Sequence, residues 1–190
     1  MRRSVTLAAL ALCALARPGS ALADDSRLRL YDLPDSDALE MTLPAGWLDA
    51  VDEQPGSAEI TIELRPETGA SFEMFVTPEW RERAPGRIQD AGTLRQSVRD
   101  AALRASAPAG PLPPDVRRLQ GTDGVGFYFV ASTTMPPPGE YAHLVQGALF
   151  TGELVLRFEI LTHDPDDPAV GQALGMLQGA RHRDRGPGRP

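Results

Sequence analysis

Residues 124–164 contain the longest nearly unbroken run of strand-forming residues in this chain. Its first segment, residues 125–131, is apolar at both parities, which is typical of a central strand covered on both faces. Two further strands are predicted at residues 140–150 and 154–162. The turn between the latter two is Thr151-Gly152, where glycine accepts the positive φ that tight turns often need. The run therefore predicts a three-stranded antiparallel meander and a fold built on a sheet.

The remaining elements are predicted from apolar periodicity. Alternation predicts strands at residues 39–43, 58–64, 71–76 and 116–120, while residues 24–37 are interpreted as an N-terminal arm or edge strand. Helical spacing predicts one helix over residues 93–106 and a second over residues 168–179, the latter with Asp167 as its N-cap. Residues 182–190 contain no apolar residue that could dock them, so a disordered tail is predicted there.

This order of elements predicts an α+β fold in one domain, over residues 38–181. We expect a single antiparallel β-sheet flanked by two helices, which is an α/β/α sandwich. Neither a second domain nor an internal repeat is indicated.

Residues 1–23 have the pattern of a secretory signal peptide. Arg2 and Arg3 form a basic start, residues 5–16 are an apolar stretch too short to span a bilayer, and residues 21–23 form a small-x-small cleavage site. The alternative, an uncleaved anchor, is disfavoured by the short apolar run. Cleavage after Ala23 predicts a periplasmic or secreted protein with no transmembrane segment in the mature chain. The sole cysteine, Cys13, leaves with the signal, which excludes a disulfide or a thiolate site.

The charge balance excludes one class of partner. Removing residues 1–23 takes away three arginines and no acidic residue, which changes the formal net charge from −7 to −10. An acidic surface argues against nucleic acid as the main partner. The chain has no lysine and no asparagine beside abundant arginine, alanine, glycine and proline. We interpret that bias as GC-rich coding, which indicates a bacterial source.

The segment Leu39-Glu40-Met41-Thr42-Leu43-Pro44-Ala45-Gly46-Trp47 resembles the "strand, Pro, x, Gly, Trp" opening of the PsbP-like superfamily. That grouping includes the Mog family of Ran-binding proteins and many exported bacterial proteins of unknown function. Gly126-Phe127-Tyr128 after the first helix, the long hairpin and a closing helix that ends near Gly179 fit the same plan. The resemblance covers residues 38–181. It implies an α/β/α sandwich that binds or stabilises other proteins, with no cofactor and no catalytic motif shared by the family.

The densest group of possible metal ligands is His163, Asp164 and Asp166, followed by Asp167. Imidazole and carboxylates suit Zn²⁺ or Mn²⁺, but two prolines separate the carboxylates. The acidic start of a helix is the favoured interpretation, since carboxylates stabilise helix N-termini. The sequence therefore predicts no metal site, with these three residues as the candidates if one exists.

Catalytic residues are not indicated by any motif. His143 lies on a predicted strand beside Tyr141 and Val145, and a general base needs both a partner and a substrate pocket. The hydroxyls at residues 132–134 lie outside any Gly-x-Ser-x-Gly sequence, so a hydrolase triad is unsupported. The sequence therefore predicts a protein that is not an enzyme.

The aromatic residues Trp47, Trp80 and Tyr128 are the candidate contacts for a partner or ligand, because aromatics dominate interfaces as well as cores. The leading hypothesis is an exported, non-catalytic protein that binds or helps to assemble another envelope protein. The alternative is a periplasmic binder of a small molecule or lipid, with its pocket between a helix and the sheet. A third hypothesis is a hydrolase that uses His143 or His163.

Overall fold

The secondary structure forms two sheets and two helices. A computed structural model of the chain describes residues 25–33, 37–53, 60–68, 71–84, 88–106 and 115–184. The elements are, in order, β1 (Arg27–Asp32), β2 (Ala38–Leu43), β3 (Trp47–Glu53), β4 (Ile60–Pro66), β5 (Phe72–Trp80), α1 (Ala91–Ser106), β6 (Arg117–Gln120), β7 (Val125–Ser132), β8 (His143–Thr151), β9 (Leu154–Thr162), α2 (Pro168–Gly179) and β10 (Arg181–Arg183). The predicted signal peptide lies outside the described residues.

The α+β class is confirmed, but the prediction of a single sheet is wrong. The strands form a seven-stranded sheet in the order β3-β4-β5-β9-β8-β7-β6 and a three-stranded sheet in the order β1-β2-β10. Every strand pair described is antiparallel. The meander of β7, β8 and β9 is confirmed. However, β9 is the middle strand, whereas β7 lies second from the edge.

The chain changes sheets at the turn between β2 and β3. Gly46 has a φ of 73°, in the left-handed region that favours glycine. Its carbonyl accepts a hydrogen bond from the backbone N–H of Glu67 at 2.6 Å, which ties the turn to the end of β4. The apolar alternation of β2 predicts which of its faces is buried but not which strand it pairs with. This is why the second sheet was not predicted.

Strand β3 was also not predicted, because its apolar pattern is reversed. Leu48 is 37% exposed and Val51 is 43% exposed. In contrast, Trp47 is buried and the side chain of Asp49 is only 4% exposed. Leu48 thus faces outward beside the inward-facing Asp49, and Val51 is exposed although it has the same parity as Asp49. A strand with a carboxylate at an inward position and a leucine at an outward one does not give the alternation expected of a half-buried strand.

The predicted disordered tail is wrong for its first residues, because Arg181–Arg183 form β10. His182 Nε2 lies 3.0 Å from Asp37 Oδ2, and Arg183 donates to both carboxylate oxygens of Glu40, at 2.7 and 2.8 Å. The segment docks through backbone pairing with β2 and through polar side-chain contacts rather than apolar side chains, so its lack of apolar residues was misleading. Residues 185–190 lie outside the described residues.

The two faces of the seven-stranded sheet carry separate cores. On β9, Leu154, Leu156, Phe158 and Ile160 belong to the larger core, which the three-stranded sheet and α2 cover. The opposite parity of β9 faces α1, whose residues Leu94, Val98 and Ala102 are buried in the smaller core with Phe129 and Val155. The strand predicted over residues 154–162 and the helix predicted over residues 93–106 are both confirmed.

We predict that Gly147→Ala destabilises the protein strongly. A Cβ at this position would lie 2.6 Å from both Phe158 Cζ and Tyr128 Cβ and would also clash with the carbonyl oxygen of Phe127. Overpacking of this kind should lower the free energy of unfolding by about 3 kcal/mol, measured by urea denaturation. The control is Gly175→Ala in α2, where a Cβ meets nothing within 4 Å. That change should leave stability equal or raise it by about 0.5–1 kcal/mol.

We predict that Tyr31→Phe reduces the loss of stability at alkaline pH. Burial, together with the nearby charge of Asp49, raises the pKa of Tyr31 above its ordinary value of 10.0. The stabilisation is therefore complete below the unfolded pKa and is lost as the pH rises above about 10, since only the unfolded chain then ionises. Urea unfolding between about pH 8 and pH 11 should show a flatter profile for the variant. Equal slopes for the two proteins would contradict this assignment.

Candidate functional site

A groove runs beside α1 on the face of the seven-stranded sheet that this helix only partly covers. α1 packs on β7 and β8. Over β4, β5 and the part of β9 from Arg157 onward, the same face of the sheet is half-buried or exposed, and neither helix of the described residues covers it. The antiparallel registers place Phe75 beside Glu159, and Thr77 beside Arg157. Polar and aromatic side chains therefore line the floor of this groove next to the helix.

One end of the groove is charged. It is a cavity of about 350 Å³, whose walls are Ser97, Val98 and Ala101 of α1 and whose floor includes the polar residues Thr61, Thr77, Glu79, Gln146, Arg157 and Glu159. Arg157 Nε donates to Glu79 Oε1 at 2.7 Å, and Gln146 Nε2 donates to Glu159 Oε1 at 2.6 Å. These bonds hold the charged side chains in place on the sheet.

The ion pair of Glu79 with Arg157 is partly buried and incompletely satisfied. The side chain of Glu79 is 16% exposed, and that of Arg157 is 35% exposed. Glu79 Oε2 is buried and has no hydrogen-bond partner in the described part of the chain. A buried carboxylate oxygen without a donor is unfavourable, because water no longer solvates it. Glu79 is therefore the residue of the groove lining whose hydrogen bonding is least complete among the described residues.

The other end of the groove, called the aliphatic end here after Leu144 and Leu161, has no carboxylate or guanidinium group among its described lining residues. It is a cavity of about 700 Å³ whose lining is divided between aliphatic residues, including Ala105 and Ala131, and polar ones, including His143 and the hydroxyl groups at residues 132–134. Tyr141 lies at its rim. Burial raises the pKa of Tyr141, and the negative charge of Glu73 and a hydrogen bond to it act in the same direction. The phenol therefore stays neutral at physiological pH.

The strand registers place the two cavities side by side on one face of the sheet, and we treat them together as one groove. Leu144 and Gln146 are neighbours on the same face of β8, and Leu161 and Glu159 are neighbours on the same face of β9. On the helix side, Ala105 continues the wall formed by residues 97–101. The wall from residue 97 to residue 105 is about 12 Å long at the rise of an α-helix.

No protein-family model and no curated protein matches this chain. Among solved structures, the chain is similar to cyanobacterial PsbP (CyanoP) from Synechocystis sp. PCC 6803, determined in solution. The two are 13% identical, the TM-score is 0.46, and the match covers 88% of this chain and 95% of that chain. Membership of the PsbP-like superfamily stays a prediction.

The three aromatic candidates lie outside the groove, on the opposite face of the sheet. Trp47 is 3% exposed, and its Nε1 donates to Gln172 Oε1 at 2.7 Å. Trp80 and Tyr128 are half-buried and pack against the same core. Trp80 also lines a surface cavity of about 290 Å³, formed with residues 81–83 and 153. Burial argues against Trp47 as a direct contact, whereas Trp80 and Tyr128 stay predictions.

The metal candidates are used in local structure. Asp164 Oδ1 accepts a hydrogen bond from the backbone N–H of Asp166 at 2.9 Å, and the ring of His163 lies against Tyr141 with 5.1 Å between centroids. Asp167 caps α2 as predicted, since its Oδ1 accepts from the N–H of Ala169 at 2.8 Å. In the described residues, no three His, Cys, Asp or Glu side chains are grouped closely enough to hold a metal ion.

Sequence reasoning missed the pairing of Ser132 with His143. The register of β7 and β8 places them opposite each other, and Ser132 Oγ lies 2.8 Å from His143 Nδ1 at the aliphatic end of the groove. Glu79 and Arg157 were also missed as a pair, although Arg157 alternates on the predicted strand with Leu156 and Phe158. The missing information in both cases was the strand register.

Neither helix in the described ranges is long and apolar enough to cross a membrane.

Proposed function

We propose that this protein is a non-catalytic binding protein that holds a small amphipathic molecule in the groove beside α1. The observation that carries the proposal is the division of the groove into a charged end, at Glu79 and Arg157, and an aliphatic end, at Leu144 and Leu161. The larger cavity is within the range of ligand pockets, which measure roughly 300–1,000 Å³.

The binding energy would come from both ends of the groove. An apolar chain laid along Leu144, Leu161 and Ala105 would be removed from water, which contributes about 25 cal/mol for each Å² of apolar surface buried. A polar head would then lie over Arg157 and Glu79, where charges are already fixed by hydrogen bonds. Such preorganised groups lower the cost of ordering the site on binding.

A hydrolase is the less favoured interpretation of the same groove. Serine and histidine within hydrogen-bond distance are one requirement of nucleophilic catalysis, and Ser132 with His143 meets it. The mechanism also needs a group that orients the histidine and donors that stabilise the oxyanion. In the described part of the chain, the side-chain hydrogen bond of His143 is the one to Ser132, and it leaves the orienting group unassigned. We therefore interpret this pair as a hydrogen bond between neighbouring strands.

The proposal includes the export of the protein. The signal-like residues 1–23 support a periplasmic or secreted location for the mature chain, whose acidic charge disfavours nucleic acid as a ligand. Membership of the PsbP-like superfamily is proposed on the strand, Pro, x, Gly, Trp motif that ends at Trp47.

We predict that at least one of three probes of equal chain length perturbs the amide chemical shifts of groove residues. The probes are octylamine, octanoate and octanol. Ala101→Trp should abolish this effect, because Ala101 lines the groove and a bulky ring would fill it. The matched control is Leu103→Trp on the same helix, at a position 48% exposed. Circular dichroism and urea unfolding would verify that both variants are folded. Equal binding by the two variants, or shifts confined to other surfaces, would overturn the proposal.

A second candidate function is the binding of another envelope protein by the three-stranded sheet. Leu28 is 60% exposed and Leu30 is 51% exposed on β1, which is an edge strand of this sheet. Exposed aliphatic side chains on an edge strand favour pairing with another chain.

We predict that a photo-crosslinker at residue 28 of the full chain, expressed in its native envelope, captures one recurrent protein. A crosslinker at residue 103 is the control, since Leu103 is similarly exposed but lies on α1. Leu30→Ser should abolish the capture from residue 28 if the aliphatic surface of β1 is the contact. The same products from both positions would contradict this second candidate.

A further inference from the structure

We propose that the charged end of the groove binds a protonated amine, so that the ligand is an alkylammonium amphiphile rather than a fatty acid or an alcohol. This inference rests on the proposed function and specifies the chemistry of the ligand's head. It would assign Glu79 as the residue that determines the charge of the ligand.

The geometry around Glu79 is the first argument. One oxygen of this carboxylate, Oε1, already accepts from Arg157 Nε at 2.7 Å. The other, Oε2, is buried without a donor from the described residues, and Glu79 itself lines the charged cavity. An ammonium group supplies donors and a positive charge at once, and hydrogen bonds between charged groups are stronger than neutral ones. A carboxylate ligand has no donor to offer and would be repelled by Glu79.

The balance of charge on the groove face is the second argument. On this face of β4, β5 and β9, the described acidic side chains outnumber the basic ones. The acidic ones are Glu63, Glu73, Glu79 and Glu159, and the basic ones are Arg65 and Arg157. The exposed arginines of α1, at positions 95, 99 and 104, do not line either cavity. Among the described residues, Arg157 is the only basic one in the lining of the charged cavity, and it is already paired with Glu79.

The uncharged residues that line the cavity also suit a cation. Phe75 is half-buried on the floor, and the face of an aromatic ring attracts cations. The hydroxyls of Thr61 and Thr77 lie 3.2 Å apart on the same floor and can accept further hydrogen bonds. A primary ammonium has three N–H donors to share among such acceptors. The aliphatic tail would extend toward Leu144 and Leu161.

The competing interpretation is an anionic head bound to the terminal nitrogens of Arg157. The ion pair with Glu79 uses the other guanidinium nitrogen, Nε. That interpretation places an anion between Glu79 and Glu159, both of which line the cavity. Like charges in a partly buried site repel one another more strongly than in water. The observations therefore favour the cation.

The test is calorimetric titration of the full chain with octylamine, octanoate and octanol at neutral pH. We expect octylamine to bind about tenfold more tightly than either of the other two, since the chains are equal and only the heads differ. Glu79→Gln should weaken octylamine binding by about tenfold and leave octanol binding within about twofold, because the amide keeps the shape of the side chain but not its charge. Glu63→Gln is the control, since it removes the same charge from the same face outside the charged cavity.

Each outcome decides between the two proposals. Preference for octanoate, equal binding of all three probes, or equal effects of the two substitutions would overturn the amine inference while leaving the binding function in place. If none of the three probes changes the amide chemical shifts of groove residues, both the amine inference and the proposed binding function are overturned. The selectivity of the unmodified protein gives an answer even if Glu79→Gln fails to fold.

Discussion

One nearly buried carboxylate, that of Asp49 on the edge strand β3, constrains how the two sheets are positioned across the apolar core that they share. Arg27 and Arg29 of the three-stranded sheet each approach it to 2.7 Å, and the hydroxyl of Tyr31 lies 3.3 Å away. A buried charge is tolerated only when it is paired and hydrogen-bonded, so this arrangement is satisfied in one relative position of the sheets. Both arginines are about half exposed, which moderates the strength of each ion pair but not the geometric requirement.

The groove is a consequence of this layering. The three-stranded sheet and α2 together cover one face of the seven-stranded sheet. On β9 they pack against the alternating apolar residues from Leu154 to Ile160. The other face is left to α1, whose 16 residues pack on β7 and β8. Polar residues such as Arg157 and Glu159 are compatible with β9 because neither helix in the described part of the chain covers this part of the face. The shape of the groove thus follows from the mismatch between one helix and a wide sheet.

The sequence predicted elements whose signals are local. The bounds of α2 and β9 agree with the prediction, because an N-cap with a following proline and a strict alternation need no knowledge of the rest of the chain. The second sheet depends on contacts between residues far apart, such as Arg183 with Glu40, and no periodicity encodes them. Strand β3 was missed because Asp49 faces inward, which reverses the expected pattern.

The candidate site was less predictable than the fold, because it consists of residues that each look like ordinary outward-facing polar positions. Glu79 and Arg157 are 78 positions apart, and only the register of β5 with β9 brings them together beside α1. Their arrangement is also unfavourable for stability alone, since one oxygen of Glu79 is buried without a donor in the described chain. Local conflicts of this kind concentrate at functional sites. The unsatisfied oxygen is therefore the feature on which the proposed ligand site depends most.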